Sequence, residues 1–367
     1  MKKFPIIFSI STFMLVGVGC SKIEGIDDDL SFLNSSKTAK PNSIFDISND
    51  NSGNVKITPT AEGASSFVVN FGEGTGAGAS AVVSPGNSVT HAYPEGSYTV
   101  TIVAKSLSGE ETTNTYPLQV TYRAPENIEI TTSSTVHVLK VKAAALYAKS
   151  YMVYFGDAAN ETGTPLAAGA ELSHEYANAG TYTVKVVALS GGAATAENTT
   201  EVTIYDAFGL PITFESSAIN YFFGTFGDGQ QFQKVANPSA SGLNTSAMVG
   251  KFTRGNQGWS GTYSPLDNPI DMSAGKKIKV LAYNPSPSLV GKKLNVELEN
   301  GSSISNGIAV LKTAFTTSGA WEELVFDFGA ISGIPASEKF GQLVLRFNDA
   351  TDGAGDVIYV DNFRLTN

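Results

Sequence analysis

Apolar and polar residues alternate with period two along most of this chain. Tyr98, Val100, Ile102 and Ala104 share one side of an extended segment, and Tyr182, Val184, Val186 and Ala188 share the matching side of another. The same alternation predicts strands over residues 279–283, 294–299, 321–328, 343–347 and 358–365. No stretch of about ten to twelve residues carries a helical period. Gly, Pro and Asn punctuate the strands, so the expectation is an all-β protein.

Internal repetition organises the first half. One unit reads Phe67-Val68-Val69-Asn70-Phe71-Gly72-Glu73-Gly74, then His91-Ala92-Tyr93, then Gly96-Ser97-Tyr98-Thr99-Val100. The next reads Tyr151-Met152-Val153-Tyr154-Phe155-Gly156-Asp157, then His174-Glu175-Tyr176, then Gly180-Thr181-Tyr182-Thr183-Val184. Gly72 to Gly156, His91 to His174 and Tyr98 to Tyr182 are spaced by 84, 83 and 84 residues, the mark of a tandem duplication. These motifs resemble the polycystic kidney disease domain, with its aromatic-x-Phe-Gly-Asp-Gly, His-x-Tyr and Gly-x-Tyr-x-Val. Glu73 and Ala158 depart from that pattern. The resemblance implies two tandem immunoglobulin-like β-sandwiches, over residues 41–123 and 124–206, acting as spacers. His91 and His174 have no nearby nucleophile arrangement and read as structural.

The texture changes after residue 206. The 207–367 segment holds both tryptophans, and its strand pattern fits a two-sheet jelly roll. Its opening Ile212-Thr213-Phe214-Glu215 and closing Tyr359-Val360-Asp361-Asn362-Phe363-Arg364-Leu365 resemble the first and last strands of carbohydrate-binding modules with a galactose-binding-like β-jelly roll. That resemblance implies a structural Ca2+ ion between Glu215 and Asp361, completed by backbone and neighbouring oxygens. Two surface carboxylates at strand ends are the plainer alternative.

The candidate binding stretch is Arg254-Gly255-Asn256-Gln257-Gly258-Trp259-Ser260-Gly261-Thr262-Tyr263. Extended, it turns Trp259, Gly261 and Tyr263 to one side, with open surface over Gly261 between two aromatic plates. A pyranose ring presents an apolar face of C–H groups to an indole, and Arg254 and Gln257 can then read its hydroxyls. The stretch resembles the Arg…Trp-x-Gly segment of xylan-binding modules, in which the tryptophan stacks on ligand. A core position for Trp259 is the competing reading. Trp321 reads as structural, at a sheet edge. Of the aromatic cluster 221–226, Tyr221 is expected to line the site because its hydroxyl tolerates exposure. Along 294–299, Leu294, Val296 and Leu298 should face the core. That leaves Asn295, Glu297 and Glu299 outward, facing ligand or plain solvent.

Charge narrows the function classes. There are 34 acidic against 24 basic residues, a net charge of −10, which gives no cationic footprint for nucleic acid. One cysteine excludes an intrachain disulfide or a thiolate metal cluster, and three histidines leave little for imidazole catalysis. A laminarinase-type jelly-roll hydrolase would need two positioned carboxylates on a Glu-x-Asp-x-x-Glu strand, and that run does not occur. No catalytic residues are expected.

The first residues read as an address. Lys2 and Lys3 precede an apolar run from Phe4 to Val18, too short to span a bilayer comfortably. Gly17-Val18-Gly19-Cys20 resembles a bacterial lipoprotein cleavage site, with Gly17 where Leu is usual. This implies a signal peptide over 1–19, a lipidated Cys20 and a tether over 20–40; an ordinary secretory peptide is the alternative. The acidic run within residues 21–29, ending Asp27-Asp28-Asp29, resembles the surface-export signal of Bacteroidota lipoproteins, with a solvated acidic tether as the alternative. The polar stretch 31–54 reads as a flexible stalk.

Together these features resemble the surface glycan-binding lipoproteins of Bacteroidota starch-utilisation-type systems. The resemblance implies a non-catalytic protein on the outer membrane, facing the exterior. It would capture polysaccharide for a TonB-dependent transporter and that transporter's surface glycan-binding lid lipoprotein. A β-glucan is favoured, of the β-1,3-glucan (laminarin) type, from the likeness of the distal module to domains accompanying laminarin-degrading proteins. A surface adhesin for protein or host glycoconjugate is the alternative.

Overall fold

The computed structural model describes residues 31–367; the expected signal peptide, Cys20 and the acidic run lie outside the described residues. The chain is all-β, with six antiparallel sheets paired into sandwiches. Among the described residues helix is limited to short 3-10 turns, and no helix is long and apolar enough to cross a membrane. The chain divides into two compact units, one ending at Arg123 and one over Ala124–Asn367.

The first unit pairs a three-stranded sheet (Asn42–Ile47, Asn54–Thr60, Val89–Ala92) with a four-stranded one (Ser80–Val83, Ser66–Asn70, Gly96–Lys105, Glu111–Val120). Val55, Ile57, Phe67, Val69, Val100 and Ile102 fill the space between them. The reading of 31–54 as a flexible stalk is corrected here. Asn42 opposes Thr60 and Ile47 opposes Val55 in a regular antiparallel ladder. Composition misled because this edge strand sinks only Phe45 toward the core and leaves Ile44 and Ile47 exposed. Upstream, the Thr38 hydroxyl donates to that of Thr112 at 2.8 Å, and the Ser108 amide donates to the Ser36 hydroxyl at 3.2 Å. That end of the expected tether is therefore hydrogen-bonded to the sandwich.

In the second unit, residues 126–204 repeat the same strand order: Glu126–Thr135, Val138–Leu146 and Leu172–Glu175 face a sheet of Thr164–Ala167, Ser150–Tyr154, Gly180–Leu189 and Thr195–Ile204. The duplicated motifs build one local device twice. Gly72 and Gly156 have φ of +74° and +77°, and a Cβ there would lie 2.2 Å from the Thr99 carbonyl oxygen or 2.5 Å from that of Thr183. Tyr93 donates its hydroxyl to the Phe71 carbonyl at 3.1 Å, and Tyr176 to that of Phe155 at 3.0 Å. His91 stacks on Phe71 and reaches Glu73 at 2.7 Å; His174 stacks on Phe155 and reaches Asp157 at 2.7 Å. Glu73 thus does the work of Asp157 with one more methylene, and both histidines are bound into structure.

The rest of this unit is a sandwich of two five-stranded sheets. One runs Gly224–Phe226, Gly261–Asp271, Lys339–Phe347, Lys293–Gly301, Ala309–Ala314; the other runs Gln231–Ala236, Met248–Thr253, Val357–Thr366, Lys277–Tyr283, Trp321–Asp327. Phe252, Val280, Leu294, Val296, Leu298, Leu343, Leu345, Phe347 and Phe363 meet between them. Trp321 sits on an edge strand, buried, its indole N–H donating to the Ser239 carbonyl at 2.9 Å.

Candidate functional site

Because strands alternate faces, the residues between the core positions of the first five-stranded sheet share its outer side. The register assembles them in rows. Phe226 opposes Gly261, Gly261 opposes Arg346, Arg346 opposes Asn295, and Asn295 opposes Lys312. In the next row Gly224, Tyr263, Val344, Glu297 and Val310 follow one another, and beyond it lie Pro265, Gln342 and Glu299. Although they point away from the core, Val344, Glu297 and Asn295 are buried, so the middle of this face is recessed.

Aromatic rings line one side of the recess. A Cβ on Gly261 would lie 2.7 Å from the Phe226 ring, and one on Gly224 would lie 2.5 Å from the Tyr263 ring. Each glycine therefore lets a ring on the neighbouring strand lie flat across it. The surface expected to stay open over Gly261 is occupied by Phe226. Trp259, 56% exposed, lies parallel to Phe226, with 2° between planes and 6.4 Å between centroids. Phe222, 47% exposed, meets Tyr263 edge-on at 5.9 Å.

Polar groups occupy the floor. The Arg346 guanidinium lies 5.6 Å from the Phe226 ring centre, and its Nε is 3.1 Å from Glu297 Oε1. Burial raises the Glu297 pKa above the ordinary 4.5, while the Arg346 charge works to lower it. Asn295 is fully buried, and neither Oδ1 nor Nδ2 meets a partner in strict hydrogen-bond geometry, although its side chain lies close enough to the Asp349 carboxylate to help lower that group's pKa; Arg346 Nε likewise meets no acceptor in hydrogen-bond geometry. Buried polar atoms are nearly always satisfied, so this group stands out on the outer face. Burial would raise the pKa of nearby Asp349, but the Lys312 ammonium at 2.6 Å lowers it. Gln342 donates to Glu299 at 2.6 Å.

Of the residues singled out from sequence, the fold brings Trp259, Tyr263 and Glu297 to this face and takes the others elsewhere. Arg254, expected to read hydroxyls, is 3% exposed; it donates to the Thr351 carbonyl and pairs with Asp356 at 4.0 Å. Its charge fastens the returning 349–356 segment beneath the Trp259 loop. Gln257 is likewise engaged, its side-chain oxygen accepting from the Asp228 amide at 2.7 Å. Tyr221 packs on Phe208 and Phe214 at the core margin, and its hydroxyl accepts from the Ser216 amide at 3.3 Å. The exposed ring of its cluster is Phe222. Sequence reasoning missed Arg346 and Phe226. The first interrupts the apolar run Leu343-Val344-Leu345-Arg346-Phe347, a charge where alternation demands an outward residue.

Glu215 and Asp361 lie apart from this face. Buried Asp361 accepts from Asn244 Nδ2 at 2.8 Å and from the Asn362 amide at 2.7 Å; Glu215 accepts from the Met248 amide at 2.8 Å. Burial raises the Asp361 pKa and the Glu215 charge adds to it, against hydrogen bonds from Ser246 and Asn244. Among the described residues no group of three His, Cys, Asp or Glu could hold a metal. The oxygens at hand are the two carboxylates and the Ser246 hydroxyl; Asn244 turns its Nδ2 to Asp361 and accepts the Ser246 amide on its Oδ1 at 3.0 Å. Two repelling carboxylates, one buried and one exposed, supply hard oxygens of the kind calcium takes, though fewer than the about six to eight it coordinates.

No family model matches the chain, and no curated protein matches it. Solved structures do. The chain is similar to a carbohydrate-binding module of the β-sandwich superfamily at 15% identity and a TM-score of 0.29, over 68% of this chain and 100% of that one. It is similar to the family 11 module from Clostridium thermocellum bound to a β-1,3-1,4-mixed-linked tetrasaccharide at 15% identity and a TM-score of 0.31, over 42% and 95%. A module specific for non-crystalline cellulose gives 12% identity and a TM-score of 0.33, over 44% and 96%. Likeness at this level assigns neither ligand nor activity.

Proposed function

We propose that this protein binds a polysaccharide on the outer face of the C-terminal sandwich and does not cleave it. The observation carrying this reading is the parallel pairing of exposed Trp259 with half-buried Phe226, beside the polar floor of Asn295, Glu297 and Arg346. A sugar ring has the complementary surface: C–H groups that stack on the aromatic plates and hydroxyls that reach the partly exposed Arg346 side chain. A plate covering roughly 100 Å² of apolar surface contributes about 2.5 kcal/mol at ~25 cal/mol/Å². Less the ordering cost, dissociation constants fall on the order of 10 μM to 1 mM.

The finer reading is a surface glycan-binding lipoprotein of the Bacteroidota type, with polycystic-kidney-disease-type spacers and a galactose-binding-like jelly roll. Lipidation at Cys20 would hold it on the outer membrane beside a TonB-dependent transporter and its lid lipoprotein, and a β-1,3-glucan is the favoured ligand. Many weak sites sharing one membrane would retain a long polymer through rebinding. Electrophoresis through gels containing laminarin, mixed-linkage glucan, xylan or mannan tests the reading. Retardation without release of reducing sugar is expected; release would make the protein a hydrolase, and no retardation in any gel would favour an adhesin. Cys20→Ser should move the chain from the membrane to the soluble fraction.

A further inference from the structure

The binding face continues past Tyr263. Gly261, Tyr263, Pro265 and Asp267 follow one another on one side of their strand, and beyond Tyr263 the edge opens into a cavity of about 460 Å³. The C-terminal sandwich supplies Phe222, Pro265 and Asp267 to it. The preceding sandwich supplies Ser134 and Val136 from a hairpin tip, together with Tyr205. Phe222 is common to both places, meeting Tyr263 with one edge while lining the cavity.

Two features make this a built cavity rather than a gap. His137 Nε2 lies 2.9 Å from Asp206 Oδ1, which fastens the hairpin tip to the segment entering the C-terminal sandwich. Val136 opens the two-residue turn between Thr135 and Val138 with φ of +52°, in the left-handed region that a β-branched residue rarely enters. Glycine is the usual occupant of that turn position. Valine there carries strain and presents an isopropyl group to the cavity. The lining mixes apolar Val136, Phe222 and Pro265 with the hydroxyls of Ser134 and Tyr205 and the carboxylate of Asp267, and no Lys or Arg lines it. That composition suits a neutral sugar better than an anionic one.

We propose that the 134–136 hairpin tip of the middle sandwich forms a distal subsite for the same glycan chain that stacks on Trp259. The middle sandwich would then be part of the binding platform as well as a spacer. This rests on the glycan-binding reading above. Calorimetry on the full chain with β-1,3-glucan tetra- and octasaccharides tests it, comparing wild type with Ser134→Trp, which fills the cavity, and Val136→Gly, which empties its wall. In wild type the octasaccharide should bind about tenfold tighter than the tetrasaccharide, one further subsite adding roughly that factor. Both variants should lose that gain and keep tetrasaccharide affinity, and Val136→Gly should also melt no lower than wild type. Equal octasaccharide affinity in all three proteins, with tetrasaccharide binding still weakened tens-fold by Trp259→Ala, would overturn the subsite and leave the main site standing. Absence of binding of either sugar to wild type would remove the subsite for this glycan together with the β-1,3-glucan assignment.

Discussion

Phe226 and Trp259 lie with their planes 2° apart, the first resting over Gly261 and the second projecting from the loop that Arg254 fastens. Only the first is held by the sheet. Trp259→Ala should therefore remove a binding surface without opening a cavity. Glycan affinity should fall by tens-fold, the equivalent of about 2.5 kcal/mol, with the melting temperature nearly unchanged. Calorimetry and a thermal melt on the same variant check this, and a large loss of stability would place the indole in the fold.

Gly261→Ala makes the converse case. Its Cβ would lie 2.5 Å from the Leu345 carbonyl oxygen and 2.7 Å from the Phe226 ring, and the backbone oxygen cannot yield. The strand has to shift and the ring has to leave its seat. Stability should drop by about 1–3 kcal/mol, measured by denaturant unfolding, and glycan affinity should drop with it even though no ligand-contacting side chain is removed.

The acid on the floor of the site sets a pH dependence. Burial raises the Glu297 pKa above 4.5, so the folded chain holds this proton more tightly than the unfolded chain does. Its contribution to stability is thus present at low pH and is lost as pH rises from 4.5 through the folded value. Binding should run the other way, because ionised Glu297 holds Arg346 in position. Affinity followed between about pH 4 and pH 7 should climb through a midpoint above 4.5, and Glu297→Gln should flatten the profile.

Much of the sandwich architecture was legible because period-two alternation and an 84-residue repeat spacing are local signals. The placement of Trp259, Tyr263 and Glu297 on the outer face follows from the same alternation. What failed was non-local. Whether Arg254 meets solvent depends on residues 349–356 returning over it, nearly a hundred positions downstream. Glu297 and Arg346 become neighbours only through the strand register, and it is tertiary packing on Phe214 that draws Tyr221 inward while Phe222 stays exposed. The edge strand 42–47 was hidden because one half-buried Phe45 suffices to seat it.

The duplicated tyrosines allow an internal control. Tyr93 and Tyr176 each donate a buried hydrogen bond to a carbonyl in the other sheet, and burial pushes the Tyr93 phenol up to about 12. Tyr93→Phe and Tyr176→Phe should each cost about 1 kcal/mol, with the Phe71 or Phe155 carbonyl left unsatisfied. Near-equal losses in denaturant unfolding are expected, with glycan affinity unchanged by Tyr93→Phe. A much larger loss at one site would mean that the two corners are not equivalent.

Calcium should act on stability and leave the binding face alone. Asp361 is buried, its pKa is raised by that burial, and the Glu215 charge raises it further, so a cation shared by the two carboxylates would relieve both effects. Ion binding to the folded chain stabilises by about 2.7 kcal/mol at a hundred times the dissociation constant. Calcium should therefore raise the melting temperature by several degrees and a chelator should reverse it. Asp361→Asn should abolish the increment while leaving retardation in glycan gels intact. Because the ion competes with the proton on Asp361, the increment should shrink as pH falls through that group's folded pKa, which lies above 3.8. A melting temperature indifferent to calcium at neutral pH would leave buried Asp361 held by Asn244, Ser246 and the Asn362 amide alone.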